Sequence, residues 1–149
     1  MRPLWLIVHH LGTVPAGFDF ARTVETVRQW HKAKGWADIG YHKAVLPSGA
    51  VQQGRPDAVV GAHAFGANQA SLGILVAGDF SRAAPGEVQL SALVQVLATL
   101  AKRHAIKPDH IIGHRDVAKL FPGGAASACP GDALYALIPE IRRRVGDYL

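Results

Sequence analysis

Short apolar segments alternate along this chain with longer segments of helical periodicity, and this alternation restricts the fold more than any other feature of the sequence. The apolar segments have the length of strands, and they are Leu4–Val8, Leu72–Val76 and His110–Gly113. Strands that alternate with helices are typical of an α/β fold, in which helices cover both faces of one sheet. We therefore predict an α/β protein built around a single central sheet.

Three segments have the periodicity and the start signals of helices. The first follows Asp19, a residue type that caps helices, and covers about residues 20–34, with Phe20, Val24, Val27 and Trp30 near one face. The second starts at Pro85-Gly86-Glu87, and its apolar face consists of Leu90, Leu93, Val94, Leu97, Leu100 and Ala101. The third starts at about Asp132, and its apolar face consists of Leu134, Leu137, Ile138, Ile141 and Val145. These patterns predict three amphipathic helices.

The segments between these elements predict a hairpin and two loops. Tyr41–Leu46 and Ala50–Gln53 flank Pro47-Ser48-Gly49, which is typical of a β-hairpin and makes the predicted sheet mixed. Residues 54–70 and 115–131 are rich in glycine, alanine and polar residues, and we expect irregular loops there. The sequence contains no repeat and no linker composition, so we predict one domain over residues 1–149.

Composition narrows the class of protein further. Hydrophobic residues make up 49% of the 149 residues, which excludes a disordered chain. The net charge of +5 suits an acidic partner such as a nucleic acid, an anionic membrane or a bacterial wall, or it simply confers solubility. The apolar run near the N-terminus is too short for a signal peptide, and no stretch is long enough to span a membrane. We therefore expect synthesis in the cytoplasm without membrane insertion.

Histidine and cysteine residues indicate a metal site. The chain has eight histidines and one cysteine, so an internal disulfide is excluded. His9, His114 and Cys129 each lie at the end of a predicted strand or in a loop, where binding groups concentrate. Two imidazoles and a thiolate fill three positions of a tetrahedral zinc site and leave the fourth for water, which is typical of a catalytic site. No short motif joins the three residues, so a buried cysteine and surface histidines remain the alternative.

Seven segments, taken in order, resemble the motifs of a known family. They are Ile7–His10, Gly40–His42, Gly54–Pro56, Gly61–Ala64 with Asn68, Ser71–Ile74 with Gly78–Phe80, Gly113–Asp116 and Cys129–Tyr135. With these segments the chain resembles the zinc-dependent N-acetylmuramoyl-L-alanine amidases, which include bacteriophage T7 lysozyme and the animal peptidoglycan recognition proteins. The resemblance implies a mixed sheet with helices on both faces and hydrolysis of the amide between N-acetylmuramic acid and L-alanine. It also implies peptidoglycan or a muropeptide as the substrate.

The resemblance assigns roles to particular residues. The residues that it implies as ligands of one Zn²⁺ are His9, His114 and Cys129. It implies that Tyr41 donates a hydrogen bond to the oxyanion of the tetrahedral intermediate. Where the family has Lys or Thr two residues before the cysteine, this chain has Ser127, whose hydroxyl we expect to assist the same step. The segment between His114 and Cys129 is longer than is usual in the family, with Leu120–Gly124 as the extra part.

Other polar residues have two possible roles each. We expect His42, His63 and Asn68 on the substrate side of the site, and the alternatives are a core or supporting position for His42 and local turn hydrogen bonds for the other two. His10 follows a ligand in a strand and should point to the opposite face, so we expect that it binds no metal. His31 lies on a predicted helix, and we expect it at the surface.

The retained ligands and Tyr41 favour an enzyme over its rivals. A non-catalytic wall-binding module of the same family would typically lack the cysteine, which is present here as Cys129. Two further hypotheses are an endopeptidase that cuts within the stem peptide and an interaction protein that regulates another enzyme. The chain resembles a phage lysis enzyme in its length and its lack of a signal, and a cytoplasmic recycling amidase is the alternative. We expect a monomer that does not bind nucleic acid.

Overall fold

The computed structural model describes residues 1–149. The strands are β1 (Trp5–His10), β2 (Lys43–Val45), β3 (Val51–Gln53), β4 (Ser71–Val76) and β5 (Ile111–Gly113). The α-helices are α1 (Thr23–Ala33), α2 (Glu87–His104), α3 (Val117–Leu120), α4 (Asp132–Tyr135) and α5 (Ile138–Gly146). Short 3₁₀ turns are found at Phe20–Arg22, Asn68–Ala70, Pro108–His110 and His114–Asp116. No helix is both long enough and apolar enough to span a membrane.

The five strands form one mixed sheet in the order β3-β2-β4-β1-β5. Strands β2 and β3 are antiparallel and form the predicted hairpin, and the other neighbouring strands are parallel. The α/β prediction with a single mixed sheet is confirmed. In the register, Val8 of β1 lies beside Gly113 of β5. The residues that follow these two positions, His9 and His114, therefore lie at the same edge of the sheet.

The two faces of the sheet are unequally covered. Leu6, Val8 and Ile74 point to the face on which α2 and α5 pack, and they belong to a core of 20 buried residues. The alternate residues point to the other face, where two clusters of five buried residues each pack beneath α1 and the loops. His9 lies between Val8 and His10 in β1 and faces the thinner side with Ile7. His9 therefore lies on the face with the thinner apolar cover.

The predicted helices form with small differences. Asp19 Oδ1 accepts a hydrogen bond from the amide of Ala21 at 3.0 Å, so the predicted N-terminal signal is used, and a 3₁₀ turn leads into α1. Helix α2 buries the apolar face that its periodicity predicts, and its last turn carries three basic side chains that complement the helix dipole.

Two predictions about the C-terminal third are wrong in detail. The segment 115–131 is not entirely a loop, because its first part forms a 3₁₀ turn and α3, anchored by the fully buried Val117. The single helix predicted from Asp132 is two helices, α4 and α5. Pro139 lies in the first turn of α5 and has no N–H to continue the hydrogen bonds of α4. The proline therefore favours a break between two helices at this point.

The prediction of a surface position for His31 is also wrong. Only 8% of His31 is exposed, and its ring lies against the rings of Trp36 and Tyr41. Its Nδ1 accepts a hydrogen bond from the amide of Gly40 at 2.8 Å. This bond holds the segment that leads to Tyr41 against α1. Burial, with smaller contributions from Lys34 and Arg55, lowers the pKa of His31 to about 4.

We expect His31 to make folding stability depend on acidity. Because the folded-state pKa of His31 is lowered to about 4, its contribution should be complete near neutral pH and should be lost as the pH falls towards that value. Asparagine can accept the bond from Gly40 through its Oδ1 without titrating, so His31→Asn should show a smaller loss. The measurement is the free energy of unfolding in urea at about pH 7 and about pH 5. Equal losses in the variant and the parent would contradict the assignment.

Candidate metal centre and active site

Three side chains of zinc-ligand type converge at the carboxyl ends of β1 and β5. They are His9, His114 and Cys129, whose candidate ligand atoms all lie within 4.8 Å of one another. The rings of His9 and His114 have centroids 4.7 Å apart, and His9 Nδ1 lies 3.6 Å from the sulfur of Cys129. The structure thus brings the three predicted ligands together, although they are up to 120 residues apart in the chain.

Hydrogen bonds around Cys129 bring its loop to the strand ends. The amide of Arg115 donates to the carbonyl of Cys129 at 2.9 Å, and the Arg115 guanidinium donates to Asp132 at 2.9 Å. The amide of His10 donates to the Cys129 sulfur at 3.4 Å. The His10 ring turns away, as strand alternation predicts, and its Nδ1 accepts from the amide of Phe80 at 3.1 Å. His10 therefore lies outside the ligand group.

The electrostatic state of the three residues suits a divalent metal. Burial lowers the pKa of His9 well below its usual value, and the neighbouring His63 and His114 lower it further. Burial also lowers the pKa of His114, so both imidazoles are neutral at neutral pH and each keeps a lone pair. In the metal-free protein, burial raises the pKa of the Cys129 thiol to about 12, and a bound cation must displace that proton. Two neutral imidazoles and one thiolate are a donor set that fits zinc.

Tyr41 lies beside this group, and the backbone around it explains its position. Its ring centroid is 5.0 Å from that of His9, edge to face. The amide of Arg55 donates to the Tyr41 carbonyl at 2.9 Å, and Arg55 Nε donates to the carbonyl of Ile39 at 2.9 Å. A side chain at Gly54 would meet the Tyr41 carbonyl at 2.3 Å, so this close approach requires glycine. The segment Gly54–Arg55 thus fixes the position of Tyr41, which precedes β2.

Burial also sets the chemistry of the Tyr41 hydroxyl. It raises the pKa of the phenol above its ordinary value, and the nearby Cys129 adds to the effect. The phenol therefore keeps its proton at neutral pH and can act as a hydrogen-bond donor. Tyr41 also lines a cleft of about 360 Å³ between the strand ends and α1, together with Leu11, Val27, Trp30, His31 and Lys34. A ligand in this cleft would therefore contact Tyr41.

The three residues expected on the substrate side occupy different positions. His42 is fully buried, its Nδ1 accepts from the amide of Gly73 at 3.0 Å, and its Nε2 donates to the carbonyl of Val59 at 2.7 Å. Both ring nitrogens therefore bind backbone, and the expectation that His42 contacts substrate is corrected to a structural role. Asn68 Oδ1 accepts from the amides of His63 and Ala64 at 2.8 Å each, which matches local turn hydrogen bonding. His63 Nδ1 lies 2.9 Å from Nε2 of His9.

Comparison with known proteins identifies the family. A sequence profile described as N-acetylmuramoyl-L-alanine amidase matches residues 1–132. The chain belongs to this family. It is 34% identical over 141 residues to the human N-acetylmuramoyl-L-alanine amidase, covering 90% of this chain but only 23% of that protein. It is 35% identical over 126 residues to the endolysin of Enterobacteria phage K11, covering 81% of this chain and 76% of the endolysin.

The fold agrees with the family assignment. The solved structure of the amidase LysC from Clostridium intestinale superposes with a TM-score of 0.82 at 26% identity, covering 97% of this chain and 86% of that one. The predicted fold class of this amidase-family chain, a single mixed sheet with helices, is therefore confirmed.

Ser127 is the site residue at which this amidase-family chain departs from the pattern that the sequence resembles. Its Oγ accepts a hydrogen bond from the amide of Cys129 at 3.1 Å, so the hydroxyl braces the loop next to the candidate ligand. The hydroxyl hydrogen is not used in that bond and can still be donated. The geometry is therefore compatible with a local structural role and a donor role at the same time.

For Ser127 we expect two separable effects. Ser127→Ala removes the bond to the Cys129 amide and should lower stability by about 1 kcal/mol. If the hydroxyl also donates to the oxyanion, turnover should fall by up to about 10² while zinc content stays intact. Ser127→Thr keeps the hydroxyl and should be tolerated. Turnover and melting temperature measured side by side decide the matter, because an alanine variant that melts lower but turns over normally would leave only the structural role.

Sequence reasoning missed the wall of the cleft that α1 provides. Val27, Trp30 and His31 of α1, and Lys34 directly after it, lie at helical spacing and line the cleft beside Tyr41. The periodicity of the first helix predicts Trp30 on its apolar face, yet Trp30 is 39% exposed. The sequence signal that could have indicated this wall is an aromatic ring, an imidazole and an ammonium group spaced three and four residues apart on one helical face. Only the position of Tyr41 shows that this face borders the candidate active site.

Proposed function

We propose that this protein is a zinc-dependent N-acetylmuramoyl-L-alanine amidase, which hydrolyses the amide between the lactyl group of N-acetylmuramic acid and the L-alanine of the stem peptide. The observation that carries the proposal is the convergence of His9, His114 and Cys129 within 4.8 Å beside Tyr41. The family assignment supports the reaction, and the donor set supports zinc. The basic net charge of +5 suits a substrate in the anionic bacterial wall.

Each residue of the site has a distinct role in the proposed amide hydrolysis. A zinc ion held by His9, His114 and Cys129 would supply Lewis-acid activation of water and of the scissile carbonyl. Tyr41 stays protonated and donates a hydrogen bond to the oxygen of the carbonyl as negative charge develops there. Ser127, next to the metal-binding loop, adds a second hydroxyl donor. The cleft along α1 holds the part of the substrate beyond the scissile bond, with Trp30 and Lys34 on its wall.

We propose a lysis role for the protein, with the domain acting as a monomer. The similarity to the endolysin of phage K11, of which the chain covers 76%, favours lysis over a recycling role. The non-catalytic wall-binding module is the second candidate, because the resemblance extends to peptidoglycan recognition proteins. The retained Cys129 beside two neutral imidazoles favours the enzyme over that module.

Metal removal and product analysis test this proposal. We expect the isolated protein to contain about one zinc ion per chain and to lose activity on purified peptidoglycan when the metal is chelated. Added zinc should restore the activity. Mass spectrometry should then show stem peptides with a free L-alanine amino terminus and glycan that carries only the lactyl group. Undiminished hydrolysis by metal-free protein would overturn the zinc mechanism.

The same experiment separates the rival functions. An endopeptidase would leave L-alanine attached to the sugar and release shorter peptides. A wall-binding module would sediment with peptidoglycan and release no fragments. A protein that regulates another enzyme would neither sediment with the wall nor cut it.

A further inference from the structure

His63 lies directly behind the candidate metal ligand His9. Its Nδ1 is 2.9 Å from Nε2 of His9, and its Nε2 is 3.3 Å from Oγ of Ser71. The Ser71 hydroxyl in turn lies 2.7 Å from the carbonyl oxygen of Ala67. His9, His63 and Ser71 are all buried, so this row of polar groups has little access to bulk water. It runs from the loop before β4 to the ligand group.

The hydrogen atoms along this row can be assigned in only one consistent way for neutral rings. A carbonyl oxygen only accepts, so the 2.7 Å contact with Ala67 requires the single hydroxyl hydrogen of Ser71. The Ser71 oxygen must then accept from His63, which places the His63 hydrogen on Nε2. The Nδ1 of a neutral His63 therefore has a lone pair, and the 2.9 Å contact with His9 requires a hydrogen on His9 Nε2.

This assignment leaves the lone pair of His9 on Nδ1. That atom is the one that faces the Cys129 sulfur, at 3.6 Å. A neutral imidazole can bind a metal only through its unprotonated nitrogen, and the other tautomer would present an N–H to the ligand group instead. The row from Ala67 to His9 therefore selects the tautomer of His9 that can bind a cation beside Cys129.

The fold holds the His63 ring in place without help from a metal. A side chain at Gly73 of β4 would overlap the His63 ring at 2.5 Å, so the ring lies directly on the strand where glycine leaves room. Asn68 accepts hydrogen bonds from the amides of His63 and Ala64, and these bonds fix the backbone turn that carries the His63 ring. The acceptor is therefore preorganised before any ligand arrives.

We propose that His63 and Ser71 are positioning residues that fix the tautomer of His9 and thereby set the affinity of the site for zinc. The inference rests on the zinc ligands proposed above. It replaces the expected substrate-side role of His63 with a role behind the metal. Outer hydrogen-bond partners of a ligating histidine typically change metal affinity by about 10–100-fold when they are removed.

Zinc affinity in a set of single variants tests the proposal. His63→Leu removes the acceptor and should raise the dissociation constant for zinc by about 10–100-fold, measured by competition with a chromophoric chelator. His63→Asn offers Oδ1 near the position of Nδ1 and should lose less. Ser71→Ala removes the hydroxyl oxygen that accepts from His63 Nε2, and its loss should lie between the two.

The matched control is His42→Leu, the same substitution at another buried histidine, which packs against His63. His42 binds only backbone groups, so this variant should lose stability but keep its zinc affinity. An equal loss of affinity in His42→Leu would show general loosening and would overturn the proposal. A folded His63→Leu or Ser71→Ala protein with unchanged affinity would overturn it as well.

A second measurement on metal-free protein is independent of zinc binding. Nitrogen-15 NMR of the histidine rings should show His9 protonated at Nε2 in the parent and a mixture of tautomers in Ser71→Ala. A parent protein in which His9 carries its hydrogen on Nδ1 would overturn the inference. If the parent shows the expected tautomer but binds no zinc, the proposed metal centre fails and the hydrogen-bond row stands.

Discussion

Cys129→Ser is expected to abolish zinc binding and peptidoglycan hydrolysis together. The substitution replaces a soft thiolate by a hydroxyl, which is a poor zinc ligand, and leaves only His9 and His114. The neighbouring imidazole of His10 is not placed to take the vacated position, because strand alternation points its ring to the opposite face, where its Nδ1 accepts from the amide of Phe80. The measurements are zinc content after gel filtration and the release of peptides from purified peptidoglycan.

The fold of the Cys129→Ser variant provides the control. Cys129 lies in a loop outside the large core, so the variant should melt close to the metal-free parent when both are measured in a chelator. In added zinc, only the parent should be stabilised, because a ligand that binds the folded state raises the melting temperature. A variant that kept full zinc and full activity would show that the three residues are not the ligands.

Tyr41→Phe is expected to reduce turnover by about 10²–10³ without loss of zinc, which is the usual effect of removing one oxyanion donor. The substitution keeps the ring that packs against His9 at 5.0 Å and removes only the hydroxyl. Because burial raises the pKa of this phenol, the parent donates its hydrogen throughout the neutral range and the defect should be the same across it. Steady-state kinetics on a soluble muropeptide would separate turnover from binding.

Tyr148→Phe is the matched control for Tyr41, because it deletes the same atom from a tyrosine that is 49% exposed near the C-terminus. It should leave turnover and zinc content unchanged. Near-normal turnover in Tyr41→Phe would reduce Tyr41 to a packing residue and would leave Ser127 as the remaining hydroxyl donor.

The parts of the fold that periodicity specifies could be predicted from the sequence. Helix α2 buries the face that its spacing marks, and β1 and β4 form where apolar residues run without interruption. The candidate ligands could be named because the family motifs contain them, but only the parallel register of β1 and β5 brings His9 and His114 together. That register depends on contacts between segments about a hundred residues apart, which no local pattern encodes.

Other features depend on tertiary partners that the sequence does not show. His31 has the local signature of a polar helix surface, but the amide of Gly40 and the ring of Trp36 bury it. His42 and His63 both lie in family motifs, yet one binds only backbone and the other binds His9. Their residue type alone could not separate these positions, because the difference lies in which atom faces each ring nitrogen.

The two faces of the sheet carry apolar cores of unequal size, and we expect this difference to affect both local opening and tolerance to substitution. The 20-residue core under α2 and α5 supplies most of the buried apolar contact, whereas the candidate ligands and the cleft lie on the opposite side above clusters of five. Backbone amides on the cleft side should therefore exchange with deuterated solvent through local openings, well before those of α2 and β4. Substitutions that change substrate preference would fall on the side whose small clusters contribute less to the free energy of unfolding. Residues around the cleft can therefore vary while the 20-residue core still stabilises the folded state.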